Sequence, residues 1–394
     1  MLLRKDILDC DLTRFPAVVY LALIFLVSRA PFIALGFSAF TNPTDQDVLA
    51  VVNSAYLLRY EHVYTVSRFP GYPFFEMFNS LLIGGGWVFT NIATAVVSFI
   101  SLILFGKILN VFEIKNKALL LLTFAFIPII WINSTITMDY MWALMFILLA
   151  VFFVFTDKYQ LAGISMGFAI GTRFTSAFMI FPVVLCLLEK VNRRKILIFI
   201  STAVGTAVLL FLPVIYRYKL EFFRGSGFLY TTPIGKSISM AAGSLLLSLN
   251  NMVMELFGIA ALAALIFFAI LTFKNKPFYS SERGHLLNFC WLTILIFILL
   301  YFIFPYKVAY LIPAVPWGLI ALNEKLERKF IIIICILLLL NSAVSVEILS
   351  DDVTQVIKLD PGVVIKNYED RKSLGVELSK EYMESLSNLL RYEK

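Results

Sequence analysis

The chain has 394 residues, 60% of them hydrophobic and 15% charged, with a mean hydropathy of +0.87. That balance excludes a soluble domain of this length and reads as a chain that crosses a membrane repeatedly. The formal net charge of +7 reports orientation rather than nucleic-acid binding, because the lysines and arginines gather in loops on one predicted side.

In chain order, apolar runs lie near 15–36, 88–109, 118–135, 139–156, 159–172, 174–188, 195–215, 253–273, 286–304, 308–322 and 330–348. A bilayer needs roughly 20 apolar residues per helix, fewer in a bundle, so the expected fold is an all-α bundle of about eleven transmembrane helices. The first run is long and no small-residue cleavage pattern follows it, so it reads as a span and not a removable signal. The stretch 71–86 is apolar but carries Pro73, Glu76 and the glycines 84–86. It reads as a juxtamembrane helix on the outer face, since counting it as a span would invert every later loop. With the N-terminus inside, the inner loops hold Arg4, Lys5 and Arg14, then Lys190, Arg193, Arg194 and Lys195, then Lys325, Arg328 and Lys329. The outer loops are longer and poorer in cations.

Residues 1–348 thus form one transmembrane module, with outer loops at 37–87 and 216–252, and 349–394 a small outer-face tail. Phe222, Phe223, Phe228 and Tyr230 in the second loop suit sugar stacking or interface anchoring equally. The tail has a turn signal at Pro361-Gly362 and helical spacing at Leu374, Leu378, Tyr382, Leu386 and Leu389. Cys10, Cys186, Cys290 and Cys335 form no CxxC pair, so neither a disulfide framework nor a zinc site is indicated.

This topology puts several ionisable residues at one membrane boundary, where each needs a partner or a task. Asp45 and Asp47 open the first outer loop, and Arg68 precedes Pro70-Gly71-Tyr72-Pro73. Asp139 starts the fourth span, Arg173 lies between two short spans, and Lys307 ends the ninth. Structural roles are open for each: Asp47 and Asp139 as helix caps, Asp45 as a turn residue, Arg173 and Lys307 as snorkelling cations. Arg29 within the first span either snorkels or meets a lipid phosphate. His62 reads as a loop residue and Glu255 as a hydrogen-bonding residue of the bundle.

These residues resemble the motifs of the GT-C superfamily of integral-membrane glycosyltransferases, which includes protein O-mannosyltransferases and lipid A aminoarabinose transferases. The matching features are Thr44-Asp45-Gln46-Asp47, the segment Arg68-Phe69-Pro70-Gly71-Tyr72-Pro73-Phe74-Phe75, then Met138-Asp139-Tyr140. The Gly-rich run 162–173 ending in Arg173 follows, and Tyr310-Leu311-Ile312-Pro313-Ala314-Val315-Pro316 comes late. The likeness runs over about 15–325. It departs from the family in having Gln46 between two acids that are often adjacent, which leaves open which Asp is catalytic, and Arg173-Phe174 where Lys-Pro is common.

The resemblance implies a polyprenyl-phosphate-linked sugar as donor, a hydroxyl on a glycan, lipid or protein as acceptor, and no nucleic-acid partner. Arg173, Lys307, Arg68 and Tyr72 are then expected at the donor's lipid phosphate, where guanidinium forks suit phosphate oxygens. Asp47 or Asp45 is expected as the general base, with Asp139 orienting acceptor or cations. One inverting displacement suffices. No cofactor is called for; a divalent ion held by the Asp-x-Asp pair and Asp139 is the less favoured arrangement. The implied location is the plasma (inner) membrane, multi-pass, with a cytoplasmic N-terminus and an outward-facing site. The competing class is a lipid or small-solute transporter or flippase, which would place its charges near the midplane and show paired halves.

Overall fold

A computed structural model describes residues 11–14, 16–37, 46–188, 191–219, 249, 252, 256, 258–275, 284–303, 307–351 and 354–392. Within them the architecture is helical, with one two-stranded hairpin. The first half contains α1 (Ala17–Ile33), α2 (Gln46–Tyr60), α3 (Pro73–Leu82), α4 (Gly86–Val111), α5 (Lys117–Phe126), α6 (Pro128–Asn133), α7 (Tyr140–Phe155), α8 (Tyr159–Thr172), α9 (Ile180–Leu188) and α10 (Arg193–Tyr218). The second contains α11 (Ile259–Asn275), α12 (Gly284–Ile303), α13 (Val315–Lys325), α14 (Arg328–Leu340), β1 (Val344–Asp351), β2 (Thr354–Pro361), α15 (Val363–Asp370) and α16 (Val376–Tyr392).

The helices follow the apolar runs, and the breaks fall where the sequence forces them. Pro128 holds Ile127 extended, at φ −60° and ψ 135°, so the run 118–135 becomes α5 and α6. Gly86 at φ +71° separates the 3₁₀ turn Ile83–Gly85 from α4. The stretch 71–86, read as a separate juxtamembrane helix, is therefore α3 leading through that turn into α4. The run 330–348 is helical only to Leu340. A turn over 341–343 follows, and the alternating Val344, Val346 and Ile348 form β1, as β-branched residues favour. β1 pairs with β2 in antiparallel register from Val344↔Pro361 to Asp351↔Thr354.

Among the described residues, three helical stretches are long and apolar enough to cross a membrane: Pro73–Val111, Arg193–Tyr218 and Gly284–Ile303. Shorter apolar helices accompany them, including Ala17–Ile33 and Tyr140–Phe155. Large apolar side chains point outward, among them Leu23, Ile24 and Val27 on α1 and Leu197, Leu209 and Leu212 on α10.

The chain divides into two compact units. One comprises Met1–Val19, Phe105–Trp131 and Thr232–Lys366. Its core holds the fully buried Trp317, edge-on to Phe289 at 4.9 Å, and Phe268 stacked on Phe330 at 4.2 Å. A buried Asn116–Asn323 hydrogen bond of 2.9 Å ties α5 to α13.

The other unit comprises Tyr20–Leu104, Ile132–Thr231 and Asn367–Lys394, and it holds Asp47, Arg68, Tyr72, Asp139 and Arg173. Its centre is α7, packed beside α8, which lies in turn against α10. Gly163, Gly167 and Gly171 recur every fourth residue, and a Cβ on any of them would collide with Thr202, Thr206 or Leu210 of α10. The Gly-rich run of the sequence is therefore a small-residue stripe that lets two backbones approach. Under the site lies an aromatic cluster in which Trp142 meets Phe75 and Phe78 while Phe74 packs on Phe146 and Phe168. The indole N–H of Trp142 donates to Thr94 Oγ1 at 3.1 Å.

Candidate functional site

Four charged residues from four chain segments form one line of alternating sign. Arg68 Nη1 lies 2.8 Å from Asp47 Oδ2, and Arg68 Nη2 lies 3.4 Å from Asp139 Oδ1. Arg173 Nη1 lies 2.6 Å from Asp139 Oδ2. The line runs from the surface inward: the side chains are 32% exposed at Asp47 and 19% at Arg68, but 4% at Arg173 and 0% at Asp139.

Each member is placed by its local fold. Asp47 sits in the first turn of α2, where the helix dipole favours an anion. Asp139 occupies the N-cap position of α7, yet its side chain makes no capping hydrogen bond. Both its oxygens go to guanidiniums instead, so capping does not account for it. Arg173 is extended, at φ −153° and ψ 111°, between α8 and the 3₁₀ turn Phe174–Met179. Its amide closes α8 by donating to Ala169 O at 2.8 Å, and Ser176 N donates back to Arg173 O.

Arg68 is held by a tight loop. Gly71 N donates to Arg68 O at 2.6 Å, and Gly71 takes φ +101°, where a Cβ would press on Val66 and Val214. Val66 N–H donates to the Tyr218 hydroxyl at 3.1 Å, and the Ser54 hydroxyl donates to Thr65 O. The buried Glu76 of α3 supplies the main anchor. It accepts from the Tyr64 hydroxyl at 2.6 Å, from Ser67 N at 2.7 Å and from the Ser67 hydroxyl at 2.5 Å. Burial and the Glu76 carboxylate push the Tyr64 phenol well up, so it stays a donor.

Two tyrosines flank the cations. Arg68 lies over the Tyr72 ring at 4.5 Å, and Arg173 lies over Tyr140 at 4.0 Å and Tyr72 at 6.0 Å. Burial pulls the Arg68 guanidinium down, but Tyr72, Asp139 and Asp47 outweigh it and raise it overall, so the fork stays charged. Among the described residues, Arg68 Nε is buried and without a hydrogen-bond partner.

The structure thus brings together Asp47, Arg68, Tyr72, Asp139 and Arg173. Lys307 belongs to the other unit, at the start of the 3₁₀ turn Val308–Ala314. Asp45 lies outside the described residues, as do Glu255, Phe222, Phe223, Phe228 and Tyr230. Among the described residues no three His, Cys, Asp or Glu side chains gather as metal ligands would. Sequence reasoning passed over Glu76, Tyr140 and Tyr218 as parts of this site. Only Glu76 carried a signal, an acid in an apolar helix.

Glu76→Ala is expected to cost about 1–3 kcal/mol, the penalty for buried donors left without an acceptor. Thermal unfolding in detergent checks this, and an unchanged midpoint would contradict the anchoring role. Glu76→Gln should be milder, because the Tyr64 hydroxyl can turn to accept from the amide.

No protein-family model, no curated protein and no solved structure matches the chain.

Proposed function

We propose that the chain is a multi-pass membrane glycosyltransferase of GT-C type that moves a sugar from a polyprenyl-phosphate donor to a hydroxyl acceptor. The observation that carries this reading is the graded line Asp47–Arg68–Asp139–Arg173, open at its acidic end and closed at its basic end.

The chemistry needs a cation for the departing phosphate and a base for the incoming hydroxyl. Arg68 and Arg173 supply the first, as forks matched to phosphate oxygens and flanked by Tyr72 and Tyr140. Asp47, the partly exposed acid, supplies the second. The acceptor oxygen attacks the anomeric carbon as the bond from that carbon to the phosphate oxygen breaks. The hydroxyl proton passes to Asp47, and the polyprenyl phosphate leaves against the guanidiniums. Configuration inverts in this single step. Asp139 acts as the buried counter-ion that holds both arginines in place.

A donor phosphate would compete with Asp47 for Arg68. Donor binding would then free Asp47 as a base just when its proton acceptor is needed, so the donor binds before the acceptor. The reading calls for no metal, because guanidiniums already offset the two acids.

The outward-facing apolar residues of α1 and α10 fit a lipid boundary. They support membrane crossing; the loop charges motivate the rest of the proposed topology, about eleven spans with a cytoplasmic N-terminus and a site on the outer face of the plasma (inner) membrane. A cysteine introduced at position 225 should react with an impermeant reagent from outside only; labelling only from the cytoplasmic side would overturn this topology. The enzymatic reading is tested by offering purified protein polyprenyl-phosphate-linked mannose or aminoarabinose. Release of polyprenyl phosphate supports it, whereas translocation of the intact lipid-linked sugar across vesicles would mark a flippase.

A further inference from the structure

The C-terminal segment carries a buried arginine that the reaction above does not use. Arg371 is fully buried, and among the described residues its hydrogen bonds go to neutral oxygens from Nη1 and Nη2, with none from Nε. Its Nη1 donates to Thr135 Oγ1 at 2.9 Å. Its Nη2 reaches Phe32 O at 2.9 Å, Thr135 O at 3.1 Å and Gly36 O at 3.3 Å. Phe32 lies in the last turn of α1, where its carbonyl also accepts from Leu35 N at 3.0 Å, so Arg371 puts a cation at the negative end of that helix.

The docking around it is close. Gly36 has φ +102°, and a Cβ there would collide with Gly375 O; a Cβ on Gly375 would collide with Leu35 O. Phe37 N donates to Ser379 Oγ at 3.2 Å, and the Tyr368 ring meets Phe32 edge-on at 5.2 Å. On α16, the Tyr382 hydroxyl donates to Leu49 O at 3.1 Å, two residues beyond Asp47.

The gripped backbone leads to Asp139, and α16 of the same tail reaches the helix of Asp47 at Leu49. Gly36 O also accepts from Asn91 Nδ2 at 2.7 Å, and Asn91 Oδ1 accepts from Thr137 Oγ1 at 2.9 Å. Thr137 N in turn donates to Phe37 O at 3.1 Å. Thr135 and Thr137 lie four and two residues before Asp139. One guanidinium therefore ties the end of α1 to the entry of α7, while the same tail pins the first turns of α2.

We propose that Arg371 is a positioning residue for the acids: its grip on Phe32, Gly36 and Thr135 seats Asp139, and the tail it anchors seats Asp47 through Leu49, at the spacing that Arg68 bridges. This rests on the reading of those acids as the reaction centre. A lysine in its place carries the charge but lacks the planar fork that spans three carbonyls.

The test uses the full-length protein with Arg371→Lys, the lipid-linked mannose or aminoarabinose donor that wild type turns over, and hydrogen exchange of segments 30–37 and 133–139. The expected result is a kcat lower by about tenfold to a hundredfold, as for small misplacements of reacting groups. KM for the donor should change less than about twofold, since Arg68 and Arg173 remain, and exchange should quicken in both segments. An unchanged kcat, a loss that falls on KM instead, or unchanged exchange overturns the proposal. Should Arg371→Lys fail to fold, Thr135→Val removes the Oγ1 acceptor of Arg371 and leaves its carbonyl partners; it must still lower kcat without raising KM, and an unchanged kcat overturns the proposal. If wild type turns over no donor, the enzymatic reading fails on its own; the exchange arm still decides whether Arg371 orders the two segments.

Discussion

Replacing Asp139 by asparagine is expected to destabilise the protein by about 3–5 kcal/mol, the usual cost of removing one partner from a buried ion pair. The amide keeps the size of the carboxylate but not its charge. Arg173, whose side chain is 4% exposed, then loses a 2.6 Å ion pair inside the fold. Arg68 is less affected, because it keeps Asp47 at 2.8 Å nearer the surface. Unfolding of the variant in detergent measures the loss, and a change under ~1 kcal/mol would mean that the inner pair is not formed. Adding Arg173→Met to Asp139→Asn should recover part of the stability, since it removes a buried charge whose Asp139 carboxylate is gone.

Asp47→Asn is expected to behave in the opposite way. A third of this side chain is exposed, so losing its pair should cost less than ~1 kcal/mol, as for other surface ion pairs. Turnover should fall by ~10²–10⁴-fold, because the amide cannot take the acceptor's proton. The two variants therefore separate a buried counter-ion from a working base. If Asp47→Asn retains full turnover while the protein folds normally, Asp47 is not the base.

The helices were legible because a chain this apolar leaves few alternatives. The runs 139–156 and 159–172 correspond to Tyr140–Phe155 and Tyr159–Thr172. The run 330–348 misled because Leu340 and Val344 are equally apolar; only the change to alternating spacing after Ser342 separates helix from strand. Asp47, Arg68, Tyr72, Asp139 and Arg173 stood out for a related reason, since charges and polar aromatics are scarce and costly in such a sequence. Their pairing was not legible. Asp139 before an apolar run reads as a helix cap whether or not its oxygens face arginines. Glu76 and Arg371 were missed because their roles arise from tertiary neighbours: a hydroxyl twelve residues away for Glu76, and carbonyls more than two hundred residues away for Arg371. The Gly-rich run was legible as a motif, but its physical reason, contact with Thr202 and Thr206 of α10, needed the fold.

The most direct test of the central claim is release of polyprenyl phosphate by purified protein in lipid nanodiscs, supplied with polyprenyl-phosphate-linked mannose or aminoarabinose and an envelope-glycan extract as acceptor. The account predicts acceptor-dependent release by wild type and its loss in Asp47→Asn, with both proteins equally folded. Equal release by the two proteins, or none by wild type while it remains folded, would contradict the assignment of Asp47 and its arginine partners to glycosyl transfer.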